Sequence, residues 1–212
     1  MVEKALEILG STEEAPRIVV CDLDGTPQVT SMRWPTVYDS TFEFDGSSRI
    51  LSERHAGAVP PGLRDALVGA GASDAVEAAA VLGCEGGLSC IEDAPLTLAQ
   101  LEVQAAEGIY GPACRMLFDQ VVREVGGQMT LLGGLDALVF TGTGGLECPL
   151  LRSLVATRLR LFRISIDEKR NEVARTSTDI TGEGSRVKVL VVAPAKARHV
   201  ALLATGASGD GD

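Results

Sequence analysis

One feature limits how this chain can fold more than any other: a buried apolar strand that runs directly into closely spaced glycines. Leu135-Asp136-Ala137-Leu138-Val139-Phe140 leads into Thr141-Gly142-Thr143-Gly144-Gly145. Such glycines let the backbone turn where a side chain would collide. They also leave N–H groups directed at the start of the next helix, where an anion such as phosphate is favoured. The continuation supplies that helix, with Pro149 suited to a first turn and Leu150, Leu151, Leu154 and Val155 recurring at helical spacing. A plain strand-turn-helix corner would want glycine here too. The pattern therefore leaves Gly142, Thr143, Gly144 and Gly145 open to either a structural or a nucleotide-phosphate role.

Composition narrows the class. The 212 residues are 45% hydrophobic but only 4% aromatic, which favours helices packed on a sheet over an all-β sandwich. The formal net charge of −10, with no Lys/Arg cluster in the sequence, argues against a nucleic-acid partner. The five cysteines are Cys21, Cys84, Cys90, Cys114 and Cys148. They are odd in number and form no C-x-x-C pair, so neither a disulfide framework nor a metal site is indicated. Cys21 in an apolar strand and Cys114 on an apolar helix face read as buried thiols. The N-terminus has no signal-peptide pattern and no apolar run reaches the ~20 residues that span a bilayer, so a reducing cytoplasmic setting without a membrane partner is expected.

Along the chain, residues 2 to 9 read as a helix and Ile18-Val19-Val20-Cys21 as a strand, with further extended segments at 28–32 and near 36–44 in antiparallel pairing. An irregular stretch carries Arg54, His55 and Gly57 to the Pro60-Pro61 pair that opens a helix over 61–69. A helix over 73–83 follows with Ser73 as its cap, and another over 96–106. The clearest helix starts near Tyr110, where Tyr110, Cys114, Leu117, Val121, Val125 and Met129 form a stripe joined by Phe118 and Val122. A helix over 149–160 and a closing strand Val187–Val192 complete an α/β pattern spanning residues 1–205, and 206–212 reads as a disordered tail.

Two motifs carry family resemblances. Asp22-Leu23-Asp24-Gly25-Thr26, directly after a strand, resembles the first motif of the haloacid dehalogenase-like phosphohydrolases. That likeness implies a nucleophile at Asp22, a general acid at Asp24, and Thr141 at a second strand end. No acidic pair follows the strand 187–192, as that family would require.

The second resemblance covers far more chain: the sequence is similar to the second half of the acetate/propionate kinases. That family's C-H-L-G-N-G corresponds to Cys21-Asp22-Leu23-Asp24-Gly25-Thr26. Its D-T-S-M-G-x-T-P-L-E-G-L-x-M-G-T-R-S-G-D-x-D-P begins at Asp39-Ser40-Thr41-Phe42 and ends at Arg54-His55-Ala56-Gly57-Ala58-Val59-Pro60-Pro61. Its L-D-A-L-V-F-T-G-G-I-G-E-N corresponds to the block from Leu135, and its D-x-x-x-N to Asp167 through Asn171. The resemblance implies an α/β domain of the actin/hexokinase superfamily, ribonuclease H-like, with a mixed sheet. It also implies ATP and magnesium as ligands, transfer of phosphate from ATP to acetate, and a first half of similar size outside residues 1–205.

The departures bear on the chemistry. Phosphoryl transfer depends on cations that neutralise the transferring group, and an arginine in that role is worth ~10³–10⁵ in rate. The family's arginine position falls on His55, with Arg54 beside it. The histidine of C-H-L-G-N-G falls on Asp22, putting negative charge at the phosphate-loop position of Asp22, Asp24 and Gly25. The magnesium-associated glutamate falls at Ala197 and an adenine-side arginine at Pro95, after Glu92 and Asp93. These substitutions imply a divergent, truncated kinase-like protein, a pseudoenzyme with little or no activity alone. A non-catalytic interaction module is the alternative, acting as a homodimer or as a partner of an intact or complementary kinase half, with apolar surface uncovered around 135–145. His55 is expected on an exposed loop, His199 in a late helix, and Asp22 and Asp24 as strand-end carboxylates facing water.

Overall fold

The computed structural model describes residues 2–10, 15–43, 47–90, 98, 100, 103 and 111–194. Its centre is a six-stranded sheet made of β1 (Arg17–Asp22), β2 (Gln28–Arg33), β3 (Thr36–Ser40), β4 (Ala137–Thr141), β5 (Thr178–Asp179) and β6 (Lys188–Val191), in the order β3-β2-β1-β4-β6-β5. The first three strands form an antiparallel meander, whereas β1, β4 and β6 run parallel and β5 returns antiparallel to β6. The parallel register sets Val19 beside Leu138 and Leu138 beside Val189.

Strand alternation divides this sheet into two faces. Val19, Cys21, Leu138, Phe140, Val189 and Val191 pack into the larger core, against α4 (Pro112–Leu132) and α6 (Pro149–Arg158). Ile18, Val20, Ala137, Val139, Leu190 and Val192 face the other way and pack with Ala5 and Leu6 of α1 (Val2–Leu9). Burial on both faces explains why β4 reads as a continuous apolar run. It also corrects one expectation. Apolar surface around 135–145 is not uncovered, because β4 is the central strand and every residue of it is buried. Exposed apolar side chains lie elsewhere, among them Val37, Tyr38 and Phe42 along the β3 edge, Leu161 and Phe162.

The helices follow the sequence pattern with instructive differences. In α4 the stripe of Cys114, Leu117, Phe118, Val121, Val125 and Met129 is buried, with Val122 packed beside it. Tyr110 lies outside the described residues. The helix ends where Gly133 takes a left-handed conformation and its N–H reaches the Thr130 carbonyl. α2 (Pro61–Gly69) starts on its proline as expected, but α3 (Ala75–Cys84) is capped by Asp74 rather than Ser73. The Asp74 carboxylate accepts from both Val76 and Glu77 backbone N–H groups, at 2.8 and 2.9 Å. Ser73 instead donates its backbone N–H to Glu77, so the capping box is shifted by one residue. Of the helix read over 96–106, Leu98, Gln100 and Val103 are described and helical. The expected strand over 36–44 stops at Ser40, with Phe42 forming an isolated bridge to Ser48.

Three short elements completing the chain escaped the sequence reading: α5 (Gly142–Glu147), which the glycine loop itself forms, α7 (Glu168–Val173), capped by Asp167, and the two-residue strand β5.

Candidate functional site

The site lies at the C-terminal ends of β1 and β4, where two loops are knitted together through backbone. Leu23 donates its N–H to the Thr141 carbonyl at 2.9 Å, and Gly144 donates its N–H to the Leu23 carbonyl at 2.9 Å. The Thr143 hydroxyl adds a bond to the Asp24 carboxylate at 3.1 Å. Asp22, Asp24, Gly25, Gly142, Thr143, Gly144 and Gly145 thus do converge, although they come from segments over a hundred residues apart.

Gly142 is required by this closeness. Its φ is +78°, and a Cβ there would sit 2.5 Å from Asp22 Oδ1 and 2.7 Å from the Asp24 nitrogen. Asp22 is accordingly not a carboxylate facing water; it is half-buried, and its Oδ1 is shielded from solvent against the glycine loop. Burial pushes the neighbouring Cys21 thiol strongly up, and the Asp22 carboxylate adds to that shift. A carboxylate stands against the first glycine, and the Gly144 N–H is given to the Leu23 carbonyl.

A cavity of about 220 Å³ opens beside these loops. Its apolar wall includes Leu23, Leu88, Leu98 and Leu117, and its polar groups are Asp24, Ser52, Glu53, Thr143 and Glu147. Three carboxylates and no Lys, Arg or His are among the described lining residues. Nor do the described residues contain a His/Cys/Asp/Glu cluster able to hold a metal ion.

Ser52 and Glu53 bring the third segment to the cavity, whereas Arg54 and His55 are not among its lining residues. The Arg54 guanidinium donates to the Cys84 carbonyl at the end of α3, 3.0 Å away. His55 is half-buried rather than exposed, and its Nδ1 accepts the Gly57 N–H at 2.9 Å. The loop closes on itself through the Ser52 hydroxyl, which accepts the His55 N–H at 3.0 Å. Gly57 permits it: φ is +75°, and a Cβ would lie 2.8 Å from the Arg49 carbonyl. Pro95, Ala197 and His199, with Glu92 and Asp93, lie outside the described residues.

Sequence reasoning missed Arg152, which holds the glycine loop from behind. This side chain is fully buried. Its Nη1 donates to the carbonyls of Gly145 and Leu146 at 2.7 and 3.0 Å, and its Nε and Nη2 reach the Asn171 side chain and carbonyl, both at 2.7 Å. The end of α5 is thereby tied to α7. A faint signal existed, because Arg152 interrupts the apolar face of Leu150, Leu151, Leu154 and Val155.

Comparison with known proteins decides the family. The model of the acetokinase family matches residues 1–201. This chain belongs to the acetokinase family. It is 26% identical to the acetate kinase of Fructilactobacillus sanfranciscensis over 192 residues, covering 90% of this chain and 48% of that relative. It is 23% identical to the acetate kinase of Limosilactobacillus fermentum over 199 residues, covering 91% and 49%. The chain therefore spans about half the length of the curated relatives it matches. Among solved structures, the acetate kinase of Porphyromonas gingivalis superposes with a TM-score of 0.80 at 23% identity, covering 90% of this chain and 49% of that one. The acetate kinase of Entamoeba histolytica gives 0.81 at 20% identity, covering 95% and 54%. The fold is the actin/hexokinase-like α/β arrangement with a mixed sheet. The family match sets aside the haloacid dehalogenase-like reading: Asp22 ends β1, and Leu23-Asp24-Gly25-Thr26 lies in the turn into β2 of an acetokinase domain.

Proposed function

We propose that this acetokinase-family domain is one wall of a phosphotransferase cleft that has lost its chemistry, with little or no kinase activity by itself. The family reaction implied by the resemblance takes ATP and acetate to ADP and acetyl phosphate with magnesium. The observation that carries the reading is the orientation of His55. At the family's arginine position it spends Nδ1 on its own loop, while Arg54 is bound to the Cys84 carbonyl. The described cavity lining offers carboxylates to a polyanionic nucleotide, which repel it where cations would be needed.

Two measurements test this. Acetyl phosphate formation from magnesium-ATP and acetate should not exceed background, and His55→Arg alone should not restore it, because the carboxylates at the cavity remain. Heat-denaturation scans with millimolar magnesium-ATP should move the midpoint little; a nanomolar affinity or robust turnover would overturn the reading. A second reading as an interaction module is favoured by the apolar β3 edge, where Val37, Tyr38 and Phe42 are exposed. It places the protein in the cytoplasm as a homodimer, or as a partner of an intact or complementary kinase half. Light scattering checks it: a monodisperse monomer at high concentration would remove it.

A further inference from the structure

Three arginines stand within six residues of the sequence, at 158, 160 and 163, and the fold adds a fourth. Between α6 and Ile164 the chain makes a single 3-10 turn, Arg160–Phe162, that leaves Leu161 86% and Phe162 50% exposed. Arg158, Arg160 and Arg163 flank these two side chains and are exposed. Exposed Arg186 is brought beside them because its N–H donates to the Arg163 carbonyl at 2.9 Å. Arg17, Arg49 and Arg170 pair with Asp136, Asp39 and Asp167. The guanidiniums of Arg158, Arg160, Arg163 and Arg186 have no hydrogen-bond or ion-pair partner among the described residues. Such an accumulation is unexpected in a chain of net charge −10.

The turn is also firm. Phe162 and Arg163 donate their N–H groups to the Leu159 and Arg160 carbonyls, both at 2.9 Å, and the Ser185 hydroxyl donates to the Arg163 carbonyl at 3.3 Å. Arg163 holds φ at +57°, a conformation that costs a residue bearing a Cβ. Position matters as well. Arg186 precedes β6, whose Lys188 is level with Ala137 at the start of β4, so this knuckle stands at the opposite end of the parallel strands from the cavity.

We propose that the Arg158–Arg163 knuckle, with Arg186, docks an acidic protein segment whose apolar side chains cover Leu161 and Phe162. Guanidinium forks match carboxylates bidentately, and arginine with an aromatic is the composition of binding hot spots. A second copy placed symmetrically on this patch would set arginines against arginines, which excludes a two-fold dimer here. An extended polyanion, lipid surface or nucleic acid, meets the negative charge of the whole chain. A short acidic segment meets only charges within about 8–10 Å, the screening length in physiological salt.

The test uses the full chain, labelled for amide NMR and titrated with a synthetic peptide of glutamates interspersed with leucine and phenylalanine. Parallel arms use phosphatidylserine vesicles and duplex DNA. Shifts should concentrate at residues 158–163 and 186. Affinity should fall about tenfold in Leu161→Ser/Phe162→Ser and in Arg160→Gln/Arg163→Gln, a loss of ~1.4 kcal/mol, and should fall further with added salt. Should either pair of substitutions lower the unfolding midpoint, Arg158→Gln/Arg186→Gln replaces it. The proposal is overturned if the peptide leaves the knuckle resonances unmoved, if the variants bind as the parent does, or if vesicles or DNA engage the knuckle and the peptide does not.

Discussion

The glycine loop after β4 and the Ser52–Gly57 loop flank the same cavity, and they are held in shape in different ways. In the first, the backbone path is set by Gly142 in its left-handed conformation and by Arg152 clamped to Gly145, Leu146 and Asn171. The second rests on Gly57, also in a left-handed conformation, and on His55, whose Nδ1 accepts the Gly57 N–H. The lesson is that packing constraints and chemical constraints are separable. A loop wedged against a core must keep its shape whether or not anything reacts there.

The largest test of that contrast is Arg152→Met. It strands buried carbonyls at Gly145, Leu146 and Asn171, and should cost ~3–5 kcal/mol in denaturant unfolding. Arg152→Lys should recover only part, since an ammonium cannot span the same fork. If Arg152→Met is nearly neutral, the glycine loop is not held by its backing and the contrast fails.

Gly142→Ala comes next. The substitution meets both an unfavourable φ and the Asp22 carboxylate 2.5 Å away, so a loss of ~2–3 kcal/mol is expected. Pairing it with Asp22→Ala should recover only the part due to the carboxylate, since the φ penalty and the Asp24 backbone nitrogen 2.7 Å from the added Cβ remain. Full additivity of the two changes would show that the loops do not press on each other.

Asp136→Asn probes the other end of β4. The carboxylate receives the Arg17 backbone N–H at 2.7 Å and its guanidinium at 2.7 and 3.0 Å. Those bonds from Arg17 hold its carboxyl below the ordinary carboxylate range, against the burial that would raise it. A depressed folded-state value contributes stability above the unfolded value of about 4 and loses it as pH falls through the folded one. The variant should therefore be weaker by ~1–2 kcal/mol at neutral pH, and the gap should close as unfolding is followed into acid below about pH 4. A gap that stayed constant with pH would assign the loss to packing.

The smallest expected effect belongs to His55→Ala, which removes one accepted hydrogen bond from a half-buried loop and should cost about 1 kcal/mol or less. A larger loss would make His55 the main support of its loop and blur the distinction between the two loops.

What the sequence made legible follows the same division. Strands buried on both faces announce themselves as apolar runs, and the α4 stripe through Cys114, Leu117, Val121 and Val125 is periodic enough to place one face in the core. The convergence of Asp22–Gly25 with Gly142–Gly145 was readable because each group stands at the end of such a strand. Three things were not. The α5 turn is built from Gly142, Gly144 and Gly145, and glycine has the helix propensity least able to signal it. Arg152 looks like any surface arginine until the acceptors brought by α7 surround it. Arg186 joins Arg158, Arg160 and Arg163 only through the return of the chain toward β6. In each case the deciding partner is distant in sequence, and neither periodicity nor local chemistry records it.

The distribution of the cysteines turns the molecule into its own clock. Cys84 and Cys90 are exposed, while Cys21 lies within β1, Cys114 within α4 and Cys148 on the wall of the cavity. A thiol-directed reagent should consume the first two at once and then wait. The remaining labelling, followed peptide by peptide, would report the lifetimes of three separate openings: the cleft wall, the covering helix and the central sheet. A ligand seated in the cavity would delay Cys148 before it delayed the others, so its occupancy could be timed without knowing what the ligand is.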